Sequence, residues 1–161
     1  MTIDRWILTA VWVLCIPAMM LIIPRKRWRE AALLFVFNQS ITWMLSLIQV
    51  EAGFAVNPVR EFPRAVASNF TFNFILYPTV AVFFAFYYPK SGWLRKFLYV
   101  AAFVGSLWLF VWLVVHYTQL VRLTRFPWWA VILVFTAGFY ATRKYYEWYF
   151  RLQPEKRGDS A

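Results

Sequence analysis

Apolar residues run along this chain in long blocks instead of alternating with polar ones, and the breaks between blocks are mostly short. The first block is Trp6 to Ile23, bounded by Asp4-Arg5 and by Pro24-Arg25-Lys26-Arg27. The second is Ala31 to about Val50 and the third about Phe70 to Tyr88. The fourth is about Phe97 to Val115, and the fifth about Trp128 to Tyr146. A helix needs about 20 apolar residues to cross the hydrocarbon of a bilayer, so each block predicts one transmembrane helix. The fold class expected is all-α, a polytopic bundle of five helices. Pro17 should kink the first helix mildly. Pro89 and Gly92 end the third, and Pro127 suits the first turn of the fifth. One transmembrane domain then covers 1–152, and 153–161 is a polar, loose tail. A cleaved signal peptide would carry its basic residues mainly before the apolar run; here the strong basic cluster follows it, which predicts an uncleaved helix.

Composition agrees with this pattern and removes some functions. The chain has 161 residues, of which 62% are hydrophobic and 15% charged. Soluble domains are nearer half apolar and a quarter charged, so the bias is that of a membrane protein. The formal net charge is +10, which in a soluble chain would point to nucleic acid. Here the cations flank the apolar blocks instead of forming one patch, and no recognition motif accompanies them, so no nucleic-acid partner is expected. They predict orientation instead. One side collects Arg25, Lys26, Arg27, Arg29, Lys90, Arg95, Lys96, Arg143, Lys144, Arg151, Lys156 and Arg157, which is 12 of the 17 Lys and Arg residues. The positive-inside rule puts that side in the cytoplasm, with the N-terminus outside and the C-terminus inside. Trp28, Trp93, Trp128, Trp129 and Trp148 fall at the predicted boundaries, as an interfacial aromatic belt would.

Chemistry is concentrated in one stretch, Asn38 to Asn73. The second block carries Asn38, Gln39, Thr42, Ser46 and Gln49, which fall within an arc of about 100° on a helix. Such a stripe should not face lipid, because an amide left unpaired in hydrocarbon costs several kcal/mol. The third block answers with Asn69, Asn73 and Tyr77 at i, i+4 and i+8, and the two stripes are expected to face each other. One reading is interhelical hydrogen bonding that holds the bundle. The other is a hydrated cavity, a small-molecule site or an ion path. No carboxylate or lysine lies in mid-membrane, where proton relays and ion pumps usually have one.

The loop between the second and third blocks is the one long connection. It holds Glu51, Arg60, Glu61 and Arg64, stiffened by Asn57-Pro58 and Phe62-Pro63. An ion pair of Glu51 with Arg60 or Arg64 would clip it over the bundle; a ligand-binding rim is the functional alternative. His116, the lone histidine, sits at the outer end of the fourth block without a serine, cysteine or carboxylate placed to complete a nucleophilic constellation. The single cysteine, Cys15, has no partner for an internal disulfide, and no metal-ligand spacing or cofactor motif is present. The expected partners are the bilayer itself, anionic lipids at the basic face, and a second copy or another membrane protein.

Several segments resemble an uncharacterised family of small polytopic integral membrane proteins from spore-forming Gram-positive bacteria. They are Trp28-Arg29-Glu30 through Gln39 and Trp43, Gly53, Asn57-Pro58-Val59-Arg60-Glu61-Phe62-Pro63, Phe70-Thr71-Phe72 and Tyr77-Pro78. Tyr87-Tyr88-Pro89, Tyr117-Thr118 and Trp128-Trp129 to Tyr149 fit the same pattern. Members usually carry a tyrosine where Asn57 stands, and often a glutamate in the fourth helix, which has no acid here. The resemblance implies a cell-membrane or spore-membrane location and no particular activity. The leading expectation is therefore a non-enzymatic structural or accessory membrane component. The alternatives are small-molecule or ion binding between the second and third helices, and an enzyme at the outer interface built on Glu51, Arg60, Glu61 or His116.

Overall fold

The computed structural model describes residues 3–151, so the expected loose tail lies outside the described residues. The molecule is all-helical. Its helices are α1 (Ile3–Ile22), α2 (Trp28–Glu51), α3 (Tyr77–Phe86), α4 (Trp93–Tyr117) and α5 (Trp128–Arg151), with a short 3-10 turn at Arg25–Arg27 leading into α2. Among the described residues, three helical stretches are long and apolar enough to cross a membrane: Ile3–Ile22, Arg25–Glu51 and Trp93–Tyr117. The stretch Phe72–Phe86 is apolar but shorter. In α5 the tryptophans, tyrosines and basic end lower the hydropathy, and it is not among the three. Large apolar side chains point outward, with Leu21 84% and Leu14 69% exposed, which fits a bundle surrounded by hydrocarbon.

Most helix ends extend past the apolar blocks because flanking polar and aromatic residues keep helical geometry, but the third helix stops at Phe86, short of the expected Tyr88. The expected start of the fourth helix at Phe97 moves to Trp93, after Gly92 at φ +82°. The end of α2 is a glycine cap. Gly53 takes φ +70°, its N–H reaches Val50 O at 3.0 Å, and Phe54 N–H reaches Gln49 O at 2.9 Å. Two of the four orphan carbonyls of the last turn are thereby satisfied.

The third helix is the centre of the molecule, and it begins irregularly. Residues Phe72–Leu76 form a π turn that runs into α3. Tyr77 N–H reaches back to Phe72 O instead of the α-helical acceptor, Asn73 O. Pro78, which has no N–H, follows directly. All three apolar cores use this helix. Phe72 and Ile75 join Leu8, Val11 and Cys15 of α1 and Val114 of α4. Val82 and Ala85 join Ala31 and Leu34 of α2. Ala81 and Phe84 join Val104 and Leu107 of α4 and Phe139 of α5. The small residues Ala81 and Ala85 are fully buried, which lets neighbouring backbones come close.

The two ends of the bundle are tied differently. At one end the connections after α2 and α4 pair as a two-strand ladder, β1 (Ala55–Val56) with β2 (Arg122–Leu123), antiparallel with Ala55 opposite Leu123. The all-α expectation overlooked it, because two residues leave no alternation to read. Thr124 N–H to Phe54 O at 3.0 Å and Val59 N–H to Gln119 O at 3.1 Å extend the contact. Asp4, buried in the first turn of α1, accepts from Gln119 N–H at 3.0 Å. At the other end Arg27 donates to Glu30 at 3.0 Å and to the Tyr146 hydroxyl at 2.7 Å, and lies 4.0 Å over the Phe86 ring. Arg143 donates to Ala85 O at 2.8 Å, satisfying a carbonyl at the end of α3, and to Glu147 at 2.9 Å.

Candidate functional site

The polar stripe of α2 meets the start of the third helix. The π turn explains one contact: Asn73 O, released by Tyr77, accepts from Thr42 Oγ1 at 3.1 Å. One turn further, Asn73 Nδ2 lies 3.0 Å from Ser46 Oγ, 2.8 Å from Ser68 Oγ and 2.9 Å from Asn69 O. Ser46 and Ser68 also bond each other. Asn69 is the N-cap of the third helix, its Oδ1 accepting from Phe72 N–H at 3.0 Å.

Asn38 behaves differently from the rest of its stripe. Its Nδ2 donates to Thr142 Oγ1 of α5 at 2.9 Å, not to the third helix. The Thr142 hydroxyl spends its single proton on Gly138 O at 2.8 Å, so it can only accept from Asn38. That fixes the amide orientation and leaves Asn38 Oδ1 as a buried acceptor without a partner. Asn69 Nδ2 is likewise a buried donor without a partner. The two residues are 3% and 2% exposed.

Both border the same cavity. It lies among α2, the third helix, α4 and α5, and offers about 120 Å³ to water-sized groups. That is room for several waters, since one needs about 10–15 Å³ on this measure. Thr42, Ser46, Gln49, Asn57, Ser68 and Asn73 give one wall its polarity; Leu107, Val134, Phe135 and Phe139 are part of an apolar wall opposite. Tyr77 lines it and packs 5.5 Å from Phe135. Ala55 and Leu123 of the β ladder, with Phe126, border the end away from Asn38. Among the described residues, none that lines the cavity carries a charge. Gln39 does not line the cavity; only its carbonyl is engaged, by Thr42 Oγ1 at 3.0 Å.

The outer-loop residues are not brought to one place. Glu61 caps the third helix: its two oxygens accept from Phe70 N–H at 3.2 Å and Thr71 N–H at 3.0 Å. A carboxylate there meets the positive end of the helix dipole as well as orphan donors. Arg60 donates to Asn57 O at 2.8 Å and Pro63 O at 3.3 Å, folding the loop on itself. Glu51 and Arg64 are exposed. The expected clip of Glu51 with Arg60 or Arg64 is absent among the described residues, because Arg60 is turned to backbone carbonyls of its own loop. His116 bonds Trp112 O at 2.8 Å and stacks between Trp112 and Trp128 at 4.4 and 5.9 Å. It does not line the cavity. An outer-interface enzyme built on these groups thus loses the shared pocket it would need.

Sequence reasoning missed Ser68, Asn57, Thr142 and Gly138. Ser68 precedes Asn69 and was readable as part of the same polar start. Thr142 and Gly138 are four apart in an otherwise apolar stretch, a spacing that places a hydroxyl and an open backbone on one helix face. Compared with protein-family models, curated proteins and solved structures, the chain matches none.

Proposed function

We propose that this is a five-pass membrane protein whose working part is the pocket between α2, the third helix and α5, where a small uncharged molecule binds without chemical change. The observation that carries it is the pair of buried amides on one cavity, each with an unpartnered atom, Asn38 Oδ1 and Asn69 Nδ2. Buried polar atoms are otherwise almost always bonded, and an unpartnered one costs about 1–3 kcal/mol. A bound molecule removes that cost.

Five passes rest on the arrangement of ends. The connections at Arg25–Arg27 and around Lys90, with the basic end of α5, meet at one end of the bundle; the β ladder, Asp4 and Gln119 meet at the other. That alternation, together with the sequence's assignment of 12 of its 17 basic residues to the side of those connections, supports a cytoplasmic C-terminus in the cell membrane. A bacterial or spore setting rests on the sequence resemblance alone. A second reading, a structural or accessory bundle, is favoured by the direct bonds among Thr42, Ser46, Ser68 and Asn73.

Gly138 separates the two. A Cβ built there meets nothing within 4 Å, and the residue lines the cavity, so Gly138→Leu fills the pocket from inside a helix. Native mass spectrometry of the protein extracted from membranes should show a small-molecule adduct that Gly138→Leu loses. A protein that carries no such adduct, or keeps it in the variant, returns the structural reading.

A further inference from the structure

Resting on the pocket reading, we infer the class of molecule it takes: an elongated, uncharged compound with a hydrogen-bond donor at one end, an acceptor at the other and an apolar middle. The lining carries no charged side chain among the described residues. An ion or zwitterion entering it would lose its water with no opposite charge to face, so the occupant is uncharged. The two unpartnered atoms make opposite demands. Asn38 Oδ1 asks for a donor at the end near Thr142; Asn69 Nδ2 asks for an acceptor at the end near the β ladder. Asn73 joins Asn69 to the level of Ser46 on α2. Asn38 and Ser46 are eight residues apart on α2, which is about 12 Å along the axis. Between those levels Leu45, Val134, Phe135 and Phe139 line the cavity with hydrocarbon. A medium-length chain with a polar group at each end satisfies both amides and that middle at once.

The probe is 1,8-octanediol, whose two hydroxyls each donate and accept and whose extended length fits this spacing. Equilibrium dialysis of the labelled diol against the protein in nanodiscs, with empty nanodiscs as baseline, measures it. One saturable site is expected. Asn38→Leu removes the deep acceptor, and Asn69→Ser removes the amide donor while keeping an N-cap oxygen. Each should weaken binding about threefold to tenfold, the worth of one hydrogen bond. Gln39→Leu, off the pocket, should leave it unchanged. 1-Octanol should bind more weakly than the diol, and octanoate should not compete. Competition by a monoacylglycerol in the disc supports the inference with a membrane lipid as the source; diol binding that the monoacylglycerol leaves untouched supports it with a soluble source. Saturable binding that neither asparagine variant weakens, or that octanoate displaces, overturns the ligand class and leaves the pocket standing. If no probe binds saturably, as a pocket filled by water alone requires, the pocket reading falls with it. Should Asn38→Leu fail to fold, Asn69→Ser carries the test.

Discussion

Replacing Asn73 by leucine tests the polar junction at the heart of the bundle. Asn73 is 4% exposed, so the new side chain stays buried. The volumes are similar, so the loss is chiefly of hydrogen bonds. Nδ2 has two protons and three acceptors within 3.0 Å, Ser46 Oγ, Ser68 Oγ and Asn69 O, so two bonds are made at a time. Side-chain bonds between helices in a membrane contribute about 0.6 kcal/mol on average and up to about 1.7. Two therefore amount to about 1–3 kcal/mol. The lower half of that range is expected, because Ser46 and Ser68 still bond each other. Thr42 still donates to the backbone carbonyl at position 73, which the substitution leaves in place. The assay is reversible unfolding in mixed micelles by titration with a denaturing detergent, followed by tryptophan fluorescence. Asn73→Leu should lose about 1–2 kcal/mol. A double-mutant cycle with Ser46→Ala should show coupling near 0.6 kcal/mol or more. A loss below about 0.5 kcal/mol, together with zero coupling, refutes the view that α2 and the third helix are joined through this residue.

Glu61→Ala should cost about 1–2 kcal/mol in the same assay, since it uncovers Phe70 N–H and Thr71 N–H at the start of the third helix. Glu61→Gln keeps one accepting oxygen and should lose about half as much; an alanine variant as stable as the parent removes the cap. A cycle of Glu51→Ala with Arg60→Ala should give coupling within about 0.5 kcal/mol of zero, the opposite of what the loop's charges suggest in one dimension. Measurable coupling would restore the clip. Tyr146→Phe removes the hydroxyl shared by Arg27 and Glu30 and should cost about 1 kcal/mol; no loss would make that end a surface contact only. A reporter fused at the C-terminus should read as cytoplasmic, and an external signal would invert the proposed topology.

Helices were legible because hydrocarbon imposes one strong demand on every residue of a block, and block length counts it directly. Their existence and approximate limits needed no tertiary contact. The facing of Thr42 and Ser46 toward Asn73 was legible for a related reason: polar residues at helical spacing in an apolar run have few places to go. The partner of Asn38 was not. Its stripe pointed toward the third helix, yet its amide reaches Thr142, because five helices pack in three dimensions and the arc of α2 meets two neighbours at once. The charges of the long loop misled for a different reason. Opposite signs close in sequence suggest pairing, but orphan backbone groups compete for the same side chains, and here Arg60 and Glu61 both went to backbone.

By itself, then, the order of residues determined an all-helical chain of five apolar blocks, its basic asymmetry and the polar residues that cannot face lipid. Tertiary structure alone decided that the third helix is central, that its π turn hands Asn73 O to Thr42, and that two amides end up buried with an atom to spare. The division is physical. Burial of a block depends on the sum of its residues, whereas a hydrogen bond depends on two atoms meeting within about 3 Å, and only packing brings them there.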